Sequence, residues 1–193
     1  MLEQLNIIIF HYLNYLAGKN HFIDLIIILT AKYGAFVFVF WLIYLWLRRE
    51  KLRKISLLSA YSALLGLALN YIITLFYYHP RPFMLHLGTT LIHHVAETSF
   101  PSDTTTFMLS IAILFLYFRQ TRISGIILFI IGFISGLCRV ISGIHFPMDI
   151  LGSLVVSIIA SLIIYYNQKT FTPLNQWIIK IYQKIIHLFK PSV

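Results

Sequence analysis

The sequence predicts an all-α integral membrane protein, a bundle of about five transmembrane helices with an amphipathic helix at each end. Three observations carry this. Hydrophobic residues make up 59% of the 193 positions and charged residues only 11%, against roughly 25% charged in a soluble domain. Apolar runs long enough to cross a ~30 Å hydrocarbon core as helices recur five times. Basic residues gather at the ends of those runs rather than along them. With a mean hydropathy of +0.83, the chain has too little polar surface to face water, and residues 1–193 read as a single transmembrane domain.

Residues 1–20 read as an interfacial amphipathic helix, in which Leu5, Ile8, Ile9, Leu13 and Leu16 share a face interrupted by Asn6, His11 and Asn14. They lack the basic start and small-residue cleavage site of a signal peptide. The spans follow at Phe22–Leu47, Ile55–Tyr78, Thr104–Phe118, Ile123–Ile141 and Pro147–Tyr166. Residues 173–190 form a second amphipathic segment, with Trp177, Ile178, Ile181, Ile185 and Phe189 opposed to Lys180, Lys184 and Lys190. Phe36, Phe38, Phe40, Trp41, Tyr44 and Trp46 read as lipid-facing bulk and an interfacial belt.

Net charge of +9 would suit a nucleic-acid partner, but its distribution argues for membrane topology and anionic headgroups instead. Arg48, Arg49, Lys51, Arg53 and Lys54 separate spans one and two. Arg119 and Arg122 join spans three and four, and Lys169, Lys180, Lys184 and Lys190 lie in the tail. The positive-inside rule makes that side, with the C-terminus, cytoplasmic. The loop Tyr78–Asp103 and the turn Ser142–Phe146 then face outward together.

Those two outward segments hold the ionisable residues that a membrane edge tolerates least, which is the reason to read them as a site. Cys138–Asp149 reads CRVISGIHFPMD: Arg139 closes one span, Gly143 allows a turn, and Pro147 suits a first helical turn. Asp149 lies four residues beyond His145, within hydrogen-bonding reach of the imidazole. The loop adds Arg81 between two prolines and Ser102 at the start of span three, where free N–H groups and the helix dipole favour an anion. Two arginines can fork onto phosphoryl oxygens. Arg81, Ser102, Arg139 and His145 therefore form a candidate phosphate cradle. No acidic cluster is placed for magnesium, so no metal and no cofactor are expected. The lone Cys138 excludes an intrachain disulfide.

Each residue has a plainer reading as well. Arg139 alone is an ordinary helix-end anchor, His145 an interfacial histidine, and Asp149 a helix cap. Glu97 and Asp103 read as support that holds an arginine or keeps the loop soluble. His79 and His86 read as headgroup-level residues, and His93 and His94 as solvated loop histidines. It is the three residues of CRVISGIHFPMD at their spacing, beside the other two segments, that argue against coincidence.

Arg81-Pro82, Pro101-Ser102-Asp103 and the Arg139, His145, Asp149 spacing resemble the three motifs of the type 2 phosphatidic acid phosphatase superfamily. With Asn70-Tyr71-Ile72-Ile73-Thr74 and His93-His94-Val95-Ala96, the whole chain is similar to bacterial undecaprenyl pyrophosphate phosphatases of the bacitracin-resistance type. The resemblance implies metal-independent dephosphorylation of a polyprenyl pyrophosphate at the periplasmic face of the bacterial inner membrane. It also implies that His145 is a nucleophile forming a phosphohistidine, that Asp149 orients it, and that Arg81, Ser102 and Arg139 bind the phosphoryl group. A lipid phosphotransferase or another lipid-phosphate phosphatase would share these motifs. A catalytically silent lipid-phosphate binder would keep the binding residues alone.

Two departures stand out. The superfamily's first motif usually opens with a lysine where this chain has Thr74, and Lys32 in span one is the spare cation, read equally as reaching the phosphate site or the second phosphoryl group and as snorkelling outward. The second motif usually continues with a histidine that resembles a general acid, where this chain has Thr104. A hydroxyl without a pKa near neutrality cannot do that proton transfer, a loss of ~100- to 10,000-fold. Three readings fit: a chain altered at Thr104 to stall turnover, a naturally weakened or repurposed member, or an active enzyme whose leaving group needs little protonation, helped by His93 or His94. The altered chain is preferred, because the residues around Thr104 keep the family pattern.

Overall fold

In a computed structural model, which describes residues 1–189, the chain is all-helical among the described residues. The seven α-helices are α1 Leu2–Asn14, α2 His21–Arg48, α3 Arg53–Phe76, α4 Asp103–Tyr117, α5 Arg122–Ile141, α6 Pro147–Tyr166 and α7 Thr172–Phe189. Four of them, α2, α3, α5 and α6, are long and apolar enough to cross a membrane. The expected third span, α4, has 15 residues, about 22 Å at 1.5 Å per residue, and falls short of that length. Its position explains why it need not match the lipid. It is the central helix, packed by α3, α5 and α6, and Met108 through Phe115 are buried along its whole circumference. Lysine 190, the last basic residue of the tail, lies outside the described residues.

Small polar residues set the spacing of the core. Along α6, Ser153, Ser157 and Ser161 stand four residues apart on one stripe, and each donates its hydroxyl to a carbonyl of the α4 strip at Ser102 (2.9 Å), Thr106 (3.1 Å) and Ser110 (3.4 Å). From α3, Ser62 donates to the Ser110 carbonyl at 3.2 Å. Hydroxyls on short side chains let helices approach closely and supply directional contacts where lipid offers no hydrophobic drive. Asp149 is the next residue up the same stripe, so the register that locks α6 to α4 also positions that carboxylate.

The basic turns come together at one end of the bundle. Arg49 of the α2–α3 turn and Gln120 of the α4–α5 turn line one small cavity. Gln183 of α7 donates to Glu50 at 2.8 Å, and the Arg53 guanidinium stacks on Tyr182. Arg81, Arg139 and His145 lie at the opposite end, where α3 and α5 finish and α4 and α6 begin.

Helix α1 forms where expected, and its polar stripe turns inward. Asn6, Phe10 and Asn14 are the buried stripe, while Leu5, Ile8, Ile9 and Leu16 are exposed. Against lipid the apolar residues belong outside, and the asparagines turn inward to satisfy backbone groups. Asn14 donates to the carbonyls of Thr89 (2.8 Å) and Ile141 (2.7 Å) and accepts from the Thr89 amide (2.7 Å). Asn6 accepts from the Met148 amide at 3.0 Å. A correction concerns α2: Phe36 and Phe40 do face outward, but Phe38 is fully buried against Met108 and Ile111.

Replacing Ser157 with leucine is expected to overpack the α4–α6 seam, costing about 1–3 kcal/mol. An earlier thermal transition in detergent checks it, and an unchanged transition would mean the seam has slack.

Candidate functional site

The site is assembled at the bundle end from three loops and helix ends, each held by identifiable backbone chemistry. Pro147 starts α6, as its fixed φ favours. The Phe146 amide donates to Asp149 at 2.8 Å, so the carboxylate caps its own helix. Gly143 takes φ +80°, and a Cβ there would meet the Thr89 carbonyl oxygen at 2.5 Å, so the turn before His145 requires glycine. Pro101, unlike Pro147, lies outside its helix. It stands one residue before the cap Ser102, and α4 begins at Asp103.

His145 is the centre. Its ring is 1% exposed, with Nδ1 at 3.1 Å from Asp149 Oδ2 and Nε2 at 3.2 Å from both Arg81 Nη1 and Arg139 Nη2. Guanidinium groups only donate, so Nε2 must carry the lone pair and Nδ1 the proton, which it gives to Asp149. Burial, opposed by the Asp149 hydrogen bond and reinforced by the two arginine charges, lowers the His145 pKa to about 4. The imidazole is therefore neutral and nucleophilic at ordinary pH.

The arginines are fixed from behind. Arg81 donates through Nη1 to the Ile144 carbonyl (3.0 Å) and through Nη2 to Glu97 (3.1 Å) and the Thr98 carbonyl (3.3 Å). Arg139 donates to the Ala31 carbonyl of α2 at 3.1 Å. Each keeps a buried Nε–H without an acceptor, so both have donor capacity left for an anion. They open on a cavity of about 440 Å³ whose wall includes Thr74, His94, Glu97, Pro101, Asp103, Thr104 and His145. A neutral imidazole nitrogen flanked by two guanidiniums can bind a tetrahedral oxyanion and attack its centre.

Of the residues singled out in the sequence, Arg81, Arg139, His145 and Asp149 come together, and Thr104 and Thr74 face the same cavity. Ser102 is fully buried beside it, and its hydroxyl accepts from Thr105 at 3.1 Å. Lys32 is exposed and does not line this cavity; its position on α2 lies one residue past Ala31, whose carbonyl Arg139 meets. Glu97 takes the supporting role, on Arg81. Asp103 accepts from buried Asn70 at 2.8 Å.

His79 is the residue that the sequence did not yield. Far from sitting at headgroup level, its largely buried ring bonds Ser99 Oγ at 2.9 Å and lies 3.8 Å from Asp149 Oδ1 and 3.5 Å from Glu3. Its neighbour Pro80 in the Arg81 motif was the available signal. Among the described residues no group of three His, Cys, Asp or Glu side chains could hold a metal ion.

Fold and site together define a helical membrane protein with a pocket between helix ends built around a buried histidine and two arginines. Residues 55–173 match the PAP2 superfamily, and the chain belongs to it. It is 38% identical over 184 residues to undecaprenyl-diphosphatase BcrC of Bacillus subtilis (strain 168), across 95% of this chain and 94% of that protein. It is 29% identical to the putative undecaprenyl-diphosphatase YbjG of Escherichia coli (strain K12), across 92% of each. The crystal structure of Aquifex aeolicus LpxE superposes with a TM-score of 0.69 at 25% identity, covering 84% of this chain and 95% of that one.

Arg139→Lys should weaken inhibition by orthovanadate about 10- to 100-fold, since a point charge cannot hold the Ala31 carbonyl and fork an oxyanion together. An inhibition constant within twofold of the parent protein's would remove Arg139 from the cradle.

Proposed function

We propose that this protein removes the terminal phosphoryl group of undecaprenyl pyrophosphate without a metal ion, through a phosphohistidine on His145, at the periplasmic face of the bacterial inner membrane. The observation that carries the reading is the His145 Nε2 lone pair held 3.2 Å from two guanidiniums while Nδ1 is tied to Asp149. The relatives named as undecaprenyl-diphosphatases support the substrate. The grouping of basic turns at the opposite end supports an outward site and a cytoplasmic C-terminus.

Phosphoryl transfer needs positioning and charge stabilisation above all. The terminal phosphoryl group sits between Arg81 and Arg139, near the start of α4, where Ser102 and the first-turn amides add donors. His145 attacks in line, and Asp149 stabilises the imidazolium character that develops. The arginines meet charge growing on the equatorial oxygens. Water then cleaves the phosphohistidine. The polyprenyl tail runs out between helices toward lipid. Thr104 lies in the cavity where the family places its general acid, and we take it as a change that slows both steps. Lys32, exposed on α2, is left out of the cradle.

The test is phosphate release from undecaprenyl pyrophosphate by the protein purified in detergent. Thr104→His should raise the rate about 100-fold or more, and in that background His145→Ala should abolish it. Substantial release after loss of the imidazole would end the phosphohistidine reading, and no gain from the new histidine would end the general-acid argument. A silent lipid-phosphate binder would bind substrate and release nothing even with the histidine in place.

The acid side of the pH profile follows from the lowered His145 pKa. The neutral ring persists as pH falls and is lost only through the lowered value, so kcat/KM for p-nitrophenyl phosphate, whose leaving group needs no proton, corrected for substrate ionisation, should hold from pH 8 to below 6. A histidine titrating near its ordinary 6.5 would give a falling limb there instead.

A further inference from the structure

We propose that His94 is the proton-transfer residue of this chain, serving as acid to the leaving oxygen and as base to the attacking water in place of the missing motif histidine. This rests on the phosphatase reading above. The cavity that contains Arg81, Thr104, Arg139 and His145 is lined by one further imidazole, His94, whose side chain is 25% exposed. His145 is committed as nucleophile, and Thr104 has no proton to exchange near neutrality. The two carboxylates on the wall are engaged elsewhere, Glu97 by Arg81 and Asp103 by Asn70.

The ring is anchored at one nitrogen. Nδ1 lies 3.3 Å from the Val95 carbonyl and 3.8 Å from Glu97 Oε1, so Nδ1–H donates to Val95 and Nε2 is the nitrogen free for chemistry. Burial first, and then the Arg81 charge, lower the His94 pKa against the opposing Val95 bond and Glu97. That makes its imidazolium a readier donor, and it makes the neutral ring, the form that takes a proton from water, more abundant though a weaker base.

The two steps balance. As the His145 Nε2–phosphorus bond forms, the bond from phosphorus to the bridging oxygen breaks, and the His94 Nε2 proton moves to that oxygen. Water oxygen then bonds to phosphorus, its proton passes to His94 Nε2, and the phosphorus–nitrogen bond breaks with its electron pair returning to His145. His94 regains the proton it gave.

The experiment uses p-nitrophenyl phosphate, whose leaving group needs no proton, with rapid-mixing and steady-state kinetics on the full chain. His94→Gln should leave the first-turnover burst of nitrophenolate within about threefold and slow the steady state about 100-fold, with a phosphorylated enzyme accumulating. In the Thr104→His background the same substitution should cost less than about threefold. An unchanged steady state overturns the proposal, and so does equal slowing of burst and steady state or an equal loss in both backgrounds. Turnover by Thr104→His with none by the parent protein overturns the His94 role alone. No phosphate release by either, from any lipid phosphate, overturns the phosphatase reading and this proposal with it.

Discussion

Two like charges meeting on one neutral nitrogen is the arrangement on which the rest of the molecule depends. Arg81 and Arg139 come from different helices and converge on His145 Nε2, each at 3.2 Å, in a buried setting where screening is weak. Left alone, that convergence would drive the guanidiniums apart. Backbone carbonyls at Ala31, Ile144 and Thr98, with the carboxylate of Glu97, hold them in place. The outcome is a concentration of positive charge that an entering oxyanion relieves, which is what a phosphoryl site requires before any chemistry begins.

Holding that arrangement is a matter of register. The α6 stripe that carries Ser153, Ser157 and Ser161 onto α4 ends in Asp149, so a slip along that seam would shift Asp149, and the imidazole it holds, relative to the start of α4. The same stripe secures the carbonyl of Ser102, the residue that opens α4 beside the cavity. Small hydroxyl side chains therefore set catalytic geometry from within the bundle core, where a larger apolar residue would separate the helices.

Helix α1 serves the site from outside it. Its buried asparagines fasten the Thr89 segment, the end of α5 and the start of α6, and Glu3 reaches the His79 ring that lies behind Asp149. A Glu3, His79, Asp149, His145 sequence of alternating carboxylates and imidazoles thus runs through the bundle end. It joins the first helix of the chain to His145.

The sequence by itself determined the helical membrane class, the positions of all five expected spans and of the tail helix to within two residues, and the four residues that meet around His145. These were legible because apolar runs of span length and clustered ionisable residues at a membrane edge are costly unless used, and because the spacing from Arg139 to Asp149 is local to one turn. Glu97 was readable as an arginine's support for a similar reason. Only the tertiary structure decided which way α1 faces, that Phe38 is buried, that α4 is a short central helix, that Lys32 stays away from the cavity, and that His79 lies against Asp149. Each of those depends on contacts between segments far apart in the chain. In lipid, moreover, apolar residues on the outer helices can face either the bundle or the hydrocarbon, so hydropathy alone does not assign their faces.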